Sequence, residues 1–589
     1  MFHPLVRISS WCLLLSLSMP SALAAPAWVQ RSNQLIEPVL KLQGWRSPEY
    51  GTTLGLEEFD SAASRIGLEL DREYRRKSAQ LLAELEARHA SEADPRVRQD
   101  LAIVIDALKL QRQGEELQES LMLPYIAVAR VVFNGMQGLL DARNAPQRQA
   151  MALQRLKKYI GADGGLALTE QAKAYTAHFL ANKALIGPYV RELQTDFETS
   201  RVLVEGIAEQ FRQAGLDGWQ ADHATLKAQI EDYQAWLQSH LQPRARQDNR
   251  LPPELYAHNL RSMGVTMPVH ELEGRALVGF AEIRDEMQLL AKRIAAERKL
   301  ADSDYRAVIK ALKASQFQGE EILPFYQDLL KRIEAIVERE QIVTLPRRKA
   351  NIRLATDAES AELPAPFMSP PRLVDNQGEY GEFVLPLNNP TSAAALDDFT
   401  HQGFAWTLTV HEARPGHELQ FARMVEEGVS SARAIYAFNS ANVEGWALYA
   451  EAVMKEFLPL EGQLFSLQAR QLRAARAFLD PMVNQGRMTP DQARQFLIEE
   501  VVLSQAFAQQ EVDRYAFRLP GQATAYYFGY LKLRELRLKT EMALGKKFRQ
   551  KAYHDFLLSQ GLLPPEMLAQ AVETEFLPRY RDQGPPGGP

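Results

Sequence analysis

Apolar residues recur at helical spacing through most of the 589-residue chain, mixed with charged positions. Leu68–Arg88, Leu117–Leu140, Leu277–Leu300 and Tyr305–Val343 show the pattern best. Pro124 interrupts the second of these, and Pro324 predicts a break in the last. Further breaks are expected at Leu241-Gln242-Pro243 and Leu251-Pro252-Pro253. Residues 345–390 read differently. Leu345-Pro346, Leu363-Pro364-Ala365-Pro366 and Pro370-Pro371 punctuate a stretch poor in helix. Within it, Glu382–Leu387 reads as a short strand or an ordinary loop, and Pro386 would confine such a strand to a sheet edge. An exposed edge there could bind an extended peptide by strand addition. Residues 391–575 return to helix, and the Gly/Pro-rich tail 582–589 is expected to be disordered. The fold class expected is mainly α, in two lobes, with an N-terminal helical region over 25–345 and a second over 346–581. No internal repeat is evident.

The N-terminus changes the picture of where the chain works. Arg7, the apolar run Trp11–Met19 and the small residues Ser21-Ala22-Leu23-Ala24 form a secretory signal pattern over residues 1–24. Cys12, the only cysteine, lies inside it, so a mature chain would carry no disulfide, thiolate ligand or cysteine nucleophile. The expectation is a soluble exported protein, periplasmic in a host with an outer membrane. The net charge of −6, without a basic stretch, argues against nucleic-acid binding. No apolar run reaches membrane-spanning length.

The candidate chemistry is concentrated in His411-Glu412-Ala413-Arg414-Pro415-Gly416-His417. Neutral imidazole is the commonest zinc ligand, and Glu412 beside it is placed to act as a general base. The usual zinc signature spaces two His by four residues, on one helical face. Here the spacing is six, which turns the rings about 240° apart on an ideal helix. They converge only if the helix breaks between them, and Pro415-Gly416 supplies a breaker. A second helix is expected from Ser430 to Phe457, with Glu444, Leu448 and Glu451 at i, i+4, i+7 on one face. Glu444 would complete a His2Glu site for Zn2+, and Gly445 would allow another element to approach closely. Glu451 would either support a ligand or pair with Lys455.

With these residues, the chain resembles the bacterial family catalogued as domain of unknown function 885. The resemblance rests on His411–Gln420, Glu444–Glu451, Glu511–Tyr515, Pro520–Ala523 with Tyr526 and Gly529, and His554–Leu558 with Gly561. More distantly it is similar to helical gluzincin peptidases, where a Glu on a second helix is the third ligand and a deep cleft divides two helical lobes. That resemblance implies His411, His417 and Glu444 as ligands, Glu412 as base, and peptide-bond hydrolysis. Oxyanion donors would come from Tyr526, His554 or Arg514. The chain departs from the family at Glu418 and Asn484, where His often stands. The expected function is zinc-dependent hydrolysis of short peptides. The alternatives are a zinc amidase on cell-wall peptide or acyl-amino acids, or a non-catalytic periplasmic protein binding metal or peptide.

Overall fold

The computed structural model describes residues 26–317, 319–388, 390 and 397–581. The expected signal segment 1–24 and the tail 582–589 lie outside the described residues. The fold is mainly α, with one small sheet. Leu68–Ser91 forms the helix its spacing predicts. The stretch around Pro124 divides into Pro95–Leu121 and Val128–Leu140. The break after Tyr305–Lys313 falls earlier than expected. Pro324 sits in the first turn of the next helix, Ile322–Arg339, where a missing N–H has no intrahelical partner to lose.

The segment poor in helix supplies all three strands: β1 (Asn351–Leu354), β2 (Phe367–Ser369) and β3 (Glu382–Leu385). β3 pairs with β1 in parallel and with β2 antiparallel, so it is the central strand and not an edge. Pro386 falls just beyond its end and removes no ladder hydrogen bond. All four β3 residues are buried, and Phe383 packs edge-on to Tyr326 of the Ile322–Arg339 helix. That helix in turn packs on Gln402–Glu412, which carries the first candidate ligands.

The largest hydrophobic core draws on helices from Pro253–Ser262 to Ile322–Arg339 as well as on helices after Phe399. A second core comes mainly from residues 123–241, and a third joins residues 36–108 to Ala432. The largest core thus draws on residues on both sides of position 345. Among the described residues no helix is long and apolar enough to cross a membrane.

Two helices of the main core touch through backbone. Ser440–Met454 and Thr524–Leu544 cross where Gly445 meets Gly529. A Cβ on Gly529 would lie 1.9 Å from the Ala441 carbonyl oxygen, and one on Gly445 2.7 Å from Gly529 Cα. This contact brings Glu444 and Tyr526 to one site.

Candidate metal centre

The helix Gln402–Glu412 stops at Glu412, and a new helix starts at His417 and runs to Glu427. Between them, Arg414-Pro415 is a cis peptide. The chain folds back so tightly that a Cβ on Gly416 would lie 1.9 Å from the His411 carbonyl oxygen, so only glycine fits. Trp446 Nε1 donates to the Pro415 carbonyl at 3.0 Å, and Arg414 ties the turn to Glu418 (2.7 Å) and Glu334 (2.6 Å). The break turns the second imidazole back toward the first. The His411 and His417 ring centroids lie 4.7 Å apart, nearly perpendicular.

The third group comes from Ser440–Met454, whose start is capped by the Asn439 side chain. The helix expected from Ser430 is shorter. A π-helical turn, Ala432–Tyr436, precedes it, and the chain breaks before Asn439. Glu444 Oε2 lies 3.5 Å from His411 Nε2 and 3.2 Å from His417 Nε2. Two ligands about 2.0–2.2 Å from a tetrahedral ion are themselves about 3.3–3.6 Å apart. The donor atoms of these three residues all lie within 4.8 Å of one another.

The hydrogen bonding around the three donors fits a cation. Glu451 Oε1 accepts the His411 Nδ1–H at 2.6 Å, and Glu451 Oε2 accepts from Thr407 at 2.8 Å. Burial raises the Glu451 pKa, but Arg473, His411 and Thr407 together hold it below the usual carboxylate range. Ionised Glu451 can only accept, so His411 Nδ1 is the donor of this bond, and in the neutral ring Nε2 is then free to act as a ligand. Nε2 faces Glu444 Oε2 at 3.5 Å, an arrangement that a cation between them would satisfy. Lys455, the competing partner expected for Glu451, pairs instead with Glu286. Replacing Glu451 with Gln should weaken zinc binding about 10- to 100-fold, the usual effect of losing a carboxylate behind a ligating His. Competition against a chromogenic chelator measures it, and unchanged affinity would remove Glu451 from the site.

Glu412 lies beside the triad, 4.0 Å from His411 Nε2, and makes no use of its carboxylate in the ligand set. Burial drives its carboxyl up to about 8, with His417 opposing and Glu444 adding to the rise. The Tyr526 ring lies parallel to the His411 ring, centroids 6.5 Å apart, and Arg514 Nη1 donates to its hydroxyl at 3.3 Å. Burial raises the Tyr526 pKa, so its hydroxyl keeps its proton.

His554 does not join them. Its Nδ1–H donates to the Ile342 carbonyl at 2.8 Å and its Nε2 accepts from Tyr449 at 2.8 Å. Burial pushes its pKa down to about 3, so the ring is neutral and has no N–H left for an oxyanion. Asn484 donates to the Asp480 and Tyr515 carbonyls. Glu418 is fully buried against Arg414.

Sequence reasoning missed Thr407, Arg473, Arg476 and Glu511, which build the wall behind His411 and Tyr526. Arg473 lies 3.5 Å from Glu451, and Arg476 makes a bidentate pair with Glu511 at 2.7 and 2.6 Å. The helix Leu460–Asn484 is buried on nearly every side, so Arg473 and Arg476 face no solvent.

A crystal structure described as "the putative lipoprotein from Colwellia psychrerythraea" aligns over 94% of this chain and 99% of its own, at 20% identity and a TM-score of 0.74. A second, described as "a putative lipoprotein of unknown function from Shewanella oneidensis", covers 93% of this chain and all of its own, at 20% identity and a TM-score of 0.68. At that identity both likenesses speak for the fold alone. No functionally curated protein matches the sequence. The family model for "Bacterial protein of unknown function (DUF885)" matches residues 48–572, nearly the whole described chain, and the protein belongs to that family.

Proposed function

We propose that this protein is a zinc-dependent peptidase of short, unstructured peptides, acting outside the cytoplasm. The observation that carries the reading is the convergence of donor atoms from His411, His417 and Glu444 within 4.8 Å of one another, with a spare carboxylate, Glu412, beside them. A site for binding alone needs ligands but no base. When bound, Zn2+ supplies Lewis acidity toward the scissile carbonyl and lowers the pKa of water to about 7.

The residues then have separate tasks. His411, His417 and Glu444 hold the ion. Glu412 takes a proton from the attacking water as the new C–O bond forms. It returns that proton to the leaving nitrogen as the C–N bond breaks, which leaves a carboxylic acid and an amine. Tyr526 donates its hydroxyl to the developing oxyanion, and the Arg514 bond to that hydroxyl strengthens it as a donor. Export is supported by the signal pattern of residues 1–24 and by the lipoprotein descriptions of the two similar structures.

His411, Glu412 and His417 are all buried, which favours an extended chain over a folded domain. The test is to incubate the zinc-loaded protein with peptides of about ten residues and with a stable folded protein. Peptides should be cleaved and the folded protein should survive. Equal digestion of both would overturn the short-peptide reading, and no cleavage of either would overturn the peptidase.

A further inference from the structure

Three guanidinium groups crowd the Tyr526 ring: Arg476 at 4.4 Å from its centroid, Arg473 at 5.9 Å and Arg514 at 6.0 Å. Only two carboxylates answer them. Glu451 faces Arg473, and Glu511 takes Arg476 bidentately, with Arg514 at 3.9 Å. Glu412 and Glu444 face the metal position, where a bound divalent ion would balance them. With that ion in place, one cationic charge would be left over in a buried place, where an unpaired charge is costly.

The donors are left over too. Arg476 is 4% exposed, and its Nη1 is buried without a hydrogen-bond partner. Gln510, one helical turn before Arg514, is 7% exposed, and neither atom of its amide has a partner. The Oε1 of Gln522, whose Nε2 donates to Ser440, is likewise unpartnered. Buried polar atoms are normally satisfied, so the two idle donors, Arg476 Nη1 and Gln510 Nε2, beside this positive charge mark a place for an anion.

We infer that Arg476, Arg514 and Gln510 form a subsite for a substrate carboxylate next to the scissile bond. The inference rests on the peptidase reading and gives it a substrate class. The guanidiniums stand one tyrosine ring away from His411. An extended peptide advances about 3.3 Å per residue, so the carboxylate lies one or two residues from the bond cut. A free C-terminal carboxylate meets this geometry, and the enzyme then removes one or two residues from the C-terminus. An acidic side chain presents the same chemistry, and the test separates the two sources.

Binding is read in the zinc-loaded Glu412→Gln protein, so that turnover does not interfere. Three N-acetylated tetra-alanine peptides are titrated calorimetrically: the free acid, the C-terminal amide, and the amide with Asp as last residue. The free acid should bind at least about tenfold more tightly than the neutral amide, as expected for a hydrogen bond to a charged group. The Asp amide should not recover that gain; if it does, the side chain is the source. Arg514→Gln should bring the acid-to-amide ratio close to one. Gln510→Glu should do the same by supplying an internal anion, and it leaves the Arg476–Glu511 pair intact. Equal binding of acid and amide overturns the subsite. Acid preference without any hydrolysis by the wild-type protein keeps the subsite and sinks the peptidase. Hydrolysis without acid preference does the reverse.

Discussion

The His417→Ala protein should fold but should not retain zinc after dialysis, whereas the wild type should hold about one ion per chain, the count set by a single three-ligand site. Three residues supply the donors, and the loss of one leaves His411 and Glu444 alone. Losing a residue that merely supports a ligand costs about 10- to 100-fold in affinity. Losing a ligand must exceed that. His417 is a useful target because its Nδ1 makes no hydrogen bond, so removing the ring breaks only its contacts with Glu444 and His411. Metal content by mass spectrometry reads the loss, and far-ultraviolet circular dichroism checks the fold. If His417→Ala kept a full complement of zinc, the second imidazole would lie elsewhere and the break at Pro415-Gly416 would have another purpose.

That break is the part of the site most legible from sequence. A spacing of six is wrong for a continuous helix, and Pro415-Gly416 stands where the chain must turn. The structure places the helix end at Glu412 and the new start at His417. Glu444 and Glu451 were legible for a similar reason, since a seven-residue separation keeps two carboxylates on one face whatever surrounds them. Gly445 was legible as a close approach, although not as a contact with Gly529, because one sequence does not say which helices cross.

What stayed hidden depended on partners far away in the chain. β3 became central because β1 and β2 flank it, and short strands around prolines leave almost no periodic signal. Nothing in the sequence singled out Arg473 and Arg476, and Glu511 stood out only as part of a family motif. They are buried because Leu460–Asn484 is enclosed by helices on several sides. His554 sits in a block of family resemblance, and position alone could not tell a catalytic imidazole from one locked between Ile342 and Tyr449.

The Glu412→Gln protein should keep its zinc and its fold and lose at least about a hundredfold in turnover, the low end for removing a general base. The amide is nearly the same size as the carboxyl, so packing around a buried side chain is preserved. It cannot take a proton from water. The ligand set is untouched, because Glu412 lies 4.0 Å from His411 Nε2 and outside the triad. The change is thus confined to proton transfer, and it should appear in kcat with KM little altered. Peptide cleavage followed by mass spectrometry, with metal content measured on the same sample, separates the two effects. Loss of zinc along with turnover would make Glu412 a ligand. Turnover near the wild-type rate would move the base to another carboxylate. Glu451 and Glu418 are poor replacements, since one is committed to His411 and Thr407 and the other to Arg414. A Glu412→Gln enzyme that still works would therefore undo the proposed chemistry itself, because no other free carboxylate stands beside the three ligands among the described residues.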